Sequence, residues 1–218
     1  MNPALTRLLQ LASPTLPVGA FSYSQGLEWA VEAGTVTDEA SALRWIGEQL
    51  QWNLGSYEAP LLARMLAAHK VGAEDTVKEL DARYLASRES AELRAETLQM
   101  GYSLRKLILD LALPIVVPPQ PTFPTAWSAL VAHWDIAADE ALAAWLWSWA
   151  ENQVMAALKT VPLGQVAGQR ILLELGQRIP SVVEHALSLG DEELSNFAPG
   201  FAIACARHET QYSRLFRS

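Results

Sequence analysis

The sequence is short of cysteine, of positive charge and of β-structure signals, and each shortage excludes a class of protein. A single cysteine among 218 residues rules out an internal disulfide and a cysteine-rich zinc site. Sixteen lysines and arginines stand against 24 aspartates and glutamates, a formal net charge of −8. A nucleic-acid binder needs a basic surface to displace phosphate counterions, so nucleic acid is excluded as a partner. The most apolar stretch, 141–150, is closed by Glu140 and Glu151, and falls well short of the ~20 residues a membrane span requires. The opening MNPALTRLLQLASPTLP holds one arginine and is cut by Pro14 and Pro17. No secretion signal is read there, and a soluble cytoplasmic protein is expected.

Catalytic signatures are missing too. There is no phosphate-binding G-x-x-x-x-G-K-[ST] loop, and the close pair Gly164 and Gly168 has no lysine after it, so tight helix packing explains it better. Ser24 has Gly26 behind it but Ser22 in front, which is not a nucleophile elbow. The acids read as a solvated helical face, with no carboxylate pair to single out. His69, His133, His185 and His208 are far apart. Cys205 and His208, three apart on one helical face, could give a transition metal two ligands if a second chain completed the shell. The simpler account of a lone cysteine among alanines is burial. No catalytic residue, cofactor or metal site is therefore assigned, and the chain is read as a non-enzyme.

What is abundant is helix former: alanine and leucine supply 67 residues. Thr37-Asp38-Glu39 offers an N-cap with acids in the first turn, followed by a stripe at Leu43, Ile46, Gln49 and Leu50. That helix is expected to end at Gly55, and another to start at Ser56-Tyr57-Glu58 with Leu61, Leu62, Met65 and Leu66 turned inward. Val77, Leu80, Tyr84 and Leu85 mark a third, and 87–110 a long charged one. The expected architecture is all-α, roughly eight to ten helices in one domain over residues 1–218. Pro114, Pro118, Pro119, Pro121 and Pro124 make a rigid internal loop over 114–124 that no helix crosses. The segment 137–158, with Leu142, Trp145, Leu146, Trp147 and Trp149, is apolar nearly all round and is expected to be the buried central helix.

Two segments have the composition of interfaces. Residues 11–28, LASPTLPVGAFSYSQGLE, mix proline, glycine, aromatics and hydroxyls, which suits either a packed turn or a docking edge. The end, ARHETQYSRLFRS (206–218), sets Arg207, Arg214 and Arg217 against one acid, Glu209, with Tyr212, Leu215 and Phe216 as anchors. Arginine and aromatics dominate binding hot spots. A chain end of this kind either docks on its own domain or orders against a partner, and the partner is the expectation.

These segments carry a resemblance. LLQLASPTLPVGAFSYSQGLEWAVEAG, SRESAELRAETLQMG (87–101), VMAALKTVPLGQ (154–165) and ARHETQYSRLFRS are similar, in that order, to segments of the urease accessory protein UreF family. The resemblance implies an all-α, dimeric, non-hydrolytic protein that bridges UreD (also called UreH) and the GTPase UreG on apo-urease during nickel insertion. On that footing Tyr212, Arg214, Leu215, Phe216 and Arg217 are expected at the UreD interface. Lys159, Pro162 and Gln165, at the end of an apolar helix beside a Pro-Gly break, are expected on the GTPase side. Without the resemblance, the residues support a helical adaptor, or a metal-binding protein using Cys205 and His208.

Overall fold

The computed structural model describes residues 3–218. Those residues form α1 (Pro3–Ala12), α2 (Leu27–Glu32), α3 (Glu39–Glu48), α4 (Ala59–Lys70), α5 (Glu74–Ala86), α6 (Ala91–Asp110), α7 (Phe123–His133), α8 (Ala138–Thr160), α9 (Gln165–Ser188) and α10 (Pro199–His208). No strand occurs among them. Helix starts follow local chemistry. At α3 the Asp38 carboxylate accepts from Ser41 N at 2.8 Å, while Ser41 Oγ accepts from Asp38 N at 3.0 Å. This reciprocal pair satisfies two of the helix's orphan donors. Ser90 Oγ caps α6 by accepting from Leu93 N at 3.1 Å.

The expected break at Gly55 is absent. Between α3 and α4 the chain stays helical, through a π-helical stretch over Gln49–Glu58. Gly55 is a packing residue: a Cβ there would lie 2.7 Å from Val182 Cγ1 of α9. The absence of a side chain serves a helix crossing, not a turn. The wider turn also buries Asn53 and Glu58, and π segments often reposition side chains in this way.

Helix α8 is central, as its pattern predicts, packing on α1, α2, α3, α4 and α9. Leu142, Leu146, Ala150, Val154 and Ala157 are fully buried, each leucine contributing about 1.5–3 kcal/mol relative to exposure. Trp145 is buried and stacks on Phe123 (ring centroids 5.0 Å apart), with Trp127 edge-on at 5.3 Å. Trp147 and Trp149 are only half-buried. The proline-rich segment is non-helical from Pro114 to Thr122, but the expected loop ends two residues early, because Pro124 sits in the first turn of α7, where its missing N–H costs nothing; at its end a Cβ on Gly101 of α6 would sit 2.1 Å from Pro121 O. One hydrophobic core runs from Leu8 to Phe216 and takes residues from both sides of that segment. Gly168 lets the Leu158 side chain close the α8–α9 corner, a Cβ on Gly168 meeting Leu158 Cδ1 at 2.9 Å.

Candidate partner-binding site

The candidate site is built where the 13–26 loop, α6, α8 and the C-terminal residues meet. Gly26 has φ +77°, and a Cβ there would lie 3.0 Å from both Ala204 Cβ and Cys205 N. A glycine is needed on both counts: left-handed backbone and the close approach of α10. Gln25 is also held at positive φ, 51°. Its side chain is used at both ends, accepting from Trp149 Nε1 at 2.7 Å and donating to Glu96 Oε1 at 2.6 Å.

The chain after α10 lies in the groove beside this loop. Glu28 of α2 accepts from the backbone amides of Leu215 (2.7 Å) and Phe216 (3.0 Å). The Arg217 amide donates to Ser22 O at 2.8 Å. Ser218 O accepts from Ser24 N, Gln25 N and Ser24 Oγ at 2.8, 3.0 and 2.6 Å, and Ser218 Oγ donates to Glu96 Oε2 at 2.7 Å. The Phe216 ring is buried in the main core, with Lys159 Nζ 5.4 Å from its centroid. The last four residues of the segment 206–218 pack on their own chain, where Glu28, Ser22, Ser24 and Gln25 satisfy their backbone. Phe216 is an internal anchor, not an outward one. The loop 11–28 is a packed turn whose docking partner is this same chain.

That anchoring leaves other side chains outside. Tyr212 is fully exposed and Leu215 is 72% exposed. Arg214 and Arg217 are exposed as well, Arg214 reaching Glu92 through its guanidinium. At the α8–α9 corner Lys159, Pro162 and Gln165 are all exposed. The Lys159–Phe216 contact brings this corner next to the tail, so two regions read as separate in the sequence are neighbours in the fold.

The Cys205–His208 pair is buried and engaged within the chain. His208 is fully buried, with Nδ1 2.6 Å from Glu92 Oε2 and Nε2 3.4 Å from Glu28 Oε2. Both ring nitrogens are therefore engaged. Cys205 packs with Leu93 and Phe201, and burial pushes its thiol well above the ordinary range, away from the thiolate that metals prefer. Among the described residues no group of three or more His, Cys, Asp or Glu is placed to hold a metal ion.

The acids are not all a solvated face. Glu28, Glu58 and Glu96 are buried, each against fixed donors. Glu58 pairs with Arg88 at 2.7 Å and accepts from Tyr84 Oη at 3.0 Å, and the Arg88 guanidinium lies 4.4 Å from the Tyr84 ring centroid. Burial raises the Glu96 carboxyl to about 7, against the lowering pull of the Gln25 and Ser218 hydrogen bonds and Arg88. One sequence signal was available: Glu92 and Glu96 are four apart, one helical turn. Glu28 and Glu58 have no such mark, since their donors come from residues 188 and 30 positions away.

The UreF family model matches residues 36–176. The chain is 60% identical to the urease accessory protein UreF of Dechloromonas aromatica, over 98% of this chain and 97% of that protein. It is 59% identical to that of Azoarcus sp. strain BH72, over 100% and 99%, and 51% identical to that of Methylobacillus flagellatus, over 99% and 98%. With identity at this level along both chains, and with the 8–34 segment and the tail that share the resemblance packed against each other in an all-α fold, the chain belongs to the UreF family of urease accessory proteins.

Proposed function

We propose that this protein serves urease maturation as a non-catalytic scaffold, offering the tail and the α8–α9 corner as two neighbouring docking surfaces. The observation that carries this is the pairing of an anchored backbone with outward apolar groups. Leu215 projects from a stretch whose own amide and that of Phe216 are tied to Glu28 and whose Phe216 is buried, and Tyr212, three residues earlier, is fully exposed. A backbone held this way has little conformational entropy left to lose on binding, which favours its use in presenting an anchor. Tyr212, Leu215, Arg214 and Arg217 are assigned to UreD (UreH), with Phe216 setting their position from beneath. Lys159, Pro162 and Gln165 are assigned to the GTPase UreG. The complex forms on apo-urease, in the cytoplasm, with the scaffold as a homodimer and nickel as cargo.

In physical terms the scaffold regulates the GTPase only by binding its nucleotide states unequally, since a surface with equal affinity for both shifts nothing. Proximity of the two patches at Lys159 and Phe216 supports both partners being held side by side. The test is co-purification of UreD and UreG with the full-length protein and with Leu215→Glu and Tyr212→Ala, both fully folded by thermal melt. Loss of UreD with UreG retained is expected. Undiminished capture of UreD by both variants would overturn the assignment, and failure of the parent protein to capture either partner would overturn the scaffold reading.

A further inference from the structure

His208, the last residue of α10, is fully buried between the two carboxylates that reach the tail. Its Nδ1 lies 2.6 Å from Glu92 Oε2 and its Nε2 3.4 Å from Glu28 Oε2. Each carboxylate turns its other contacts to the chain end. Glu92 Oε1 accepts from the Arg214 guanidinium, and Glu28 accepts from the Leu215 and Phe216 amides. One ring therefore touches both supports of the stretch that presents Leu215.

The number of protons on the ring follows from these contacts. A neutral imidazole has one N–H and one acceptor nitrogen, and only the imidazolium donates from both. With an acid on each side, a neutral ring would aim a lone pair at a carboxylate oxygen. Charge balance runs the same way. Arg214 offsets Glu92, whereas Glu28 is buried and pairs with no basic side chain but His208 among the described residues. A buried carboxylate without a counter-charge is unfavourable. The position at the end of α10 adds to this, since the C-terminal end of a helix favours a cation. The other charges felt on this face of α10, at Cys205 one turn earlier, are Glu89, Glu96 and Arg88, and they supply no excess of positive charge.

We infer that His208 is the positioning residue of the tail's docking surface, an imidazolium that donates to Glu28 and Glu92 at once and so fixes both beneath the tail. Its proton count and its hold on the tail concern this chain alone; only the consequence for partner capture rests on the scaffold reading above.

The test uses the full chain, ¹⁵N-labelled, at pH 7. Two-bond proton–nitrogen spectra separate an imidazolium, whose ring nitrogens have nearly equal shifts, from a neutral ring, whose acceptor nitrogen lies far downfield. His69→Gln, His133→Gln and His185→Gln assign the other three rings by disappearance, and the remaining ring is expected to be an imidazolium. Two variants then divide its contacts. His208→Asn places an amide where Nδ1 lies and serves Glu92; His208→Gln places one where Nε2 lies and serves Glu28. In His208→Asn the Leu215 and Phe216 amides should lose about tenfold more protection from hydrogen exchange than in His208→Gln. That is the lower end for a hydrogen bond to a charged group, as suits a 3.4 Å contact. Amides of α8 serve as the reference for global stability, and capture of UreD should fall in His208→Asn as well. A neutral ring at pH 7, or equal protection in the two variants, would overturn the inference. Should neither variant fold, the ring pattern of the parent protein decides alone. Lost amide protection with undiminished UreD capture would support the role of His208 and overturn the assignment of the tail to UreD.

Discussion

Replacing Glu28 by alanine tests whether this carboxylate holds the tail. The change removes the acceptor of two backbone amides, at 2.7 and 3.0 Å, and the neighbour of the His208 imidazole at 3.4 Å. Hydrogen bonds to a charged acceptor contribute about 1.5–3 kcal/mol each, and a buried donor left unpaired loses about 1–3 kcal/mol. The Leu215 amide lies beside an exposed side chain and regains water, whereas Phe216 is buried and its amide does not. The expected loss is therefore about 2–4 kcal/mol, a fall in melting temperature of about 4–16 °C for a domain of this size. Glu28→Gln keeps one oxygen acceptor and should lose about half as much. Because loss of stability alone could come from elsewhere, hydrogen exchange is the decisive assay. The Leu215 and Phe216 amides should exchange at least tenfold faster in Glu28→Ala through local opening that denaturant hardly affects, while amides of α8 speed up only by the factor that the fall in global stability sets. If those two amides exchange at the parent rate, Glu28 does not hold the tail and the anchoring argument fails.

Two further outcomes follow from buried groups. Burial raises Glu96 from 4.5 to about 7, so the folded protein keeps a proton that the unfolded chain releases. Glu96 thus opposes folding progressively as pH rises from about 4.5 through 7, by about 3 kcal/mol above that window. Glu96→Gln should therefore gain stability relative to the parent between pH 5 and 8 in denaturant titrations, and a pH-independent difference would contradict this. Gly101→Ala puts a methyl 2.1 Å from Pro121 O, where backbone must move, and should lose about 2–3 kcal/mol or more. Gly200→Ala meets nothing within 4 Å and should stay within about 0.5 kcal/mol; equal effects at both positions would refute the close approach of α6 to the proline-rich segment.

Features that depend on neighbours along the chain were legible in the residues alone. The Asp38 cap, the apolar stripes, the central position of α8 and the helix-free proline segment are local or periodic, and periodicity survives folding unchanged. The same holds for the family, whose motifs are contiguous runs. Tertiary structure alone decided what depends on residues far apart. Gly55 reads as a terminator until Val182 of α9 is brought against it. Glu28, Glu58 and Glu96 read as solvated acids until Phe216, Arg88 and Ser218 arrive from 188, 30 and 122 positions away. Composition marked Phe216 and Tyr212 alike as anchors; only packing sent one inward, beneath Lys159, and the other into solvent. A side chain's role at an interface depends on which face the backbone presents, and that is set by long-range hydrogen bonds which no spacing in the sequence encodes.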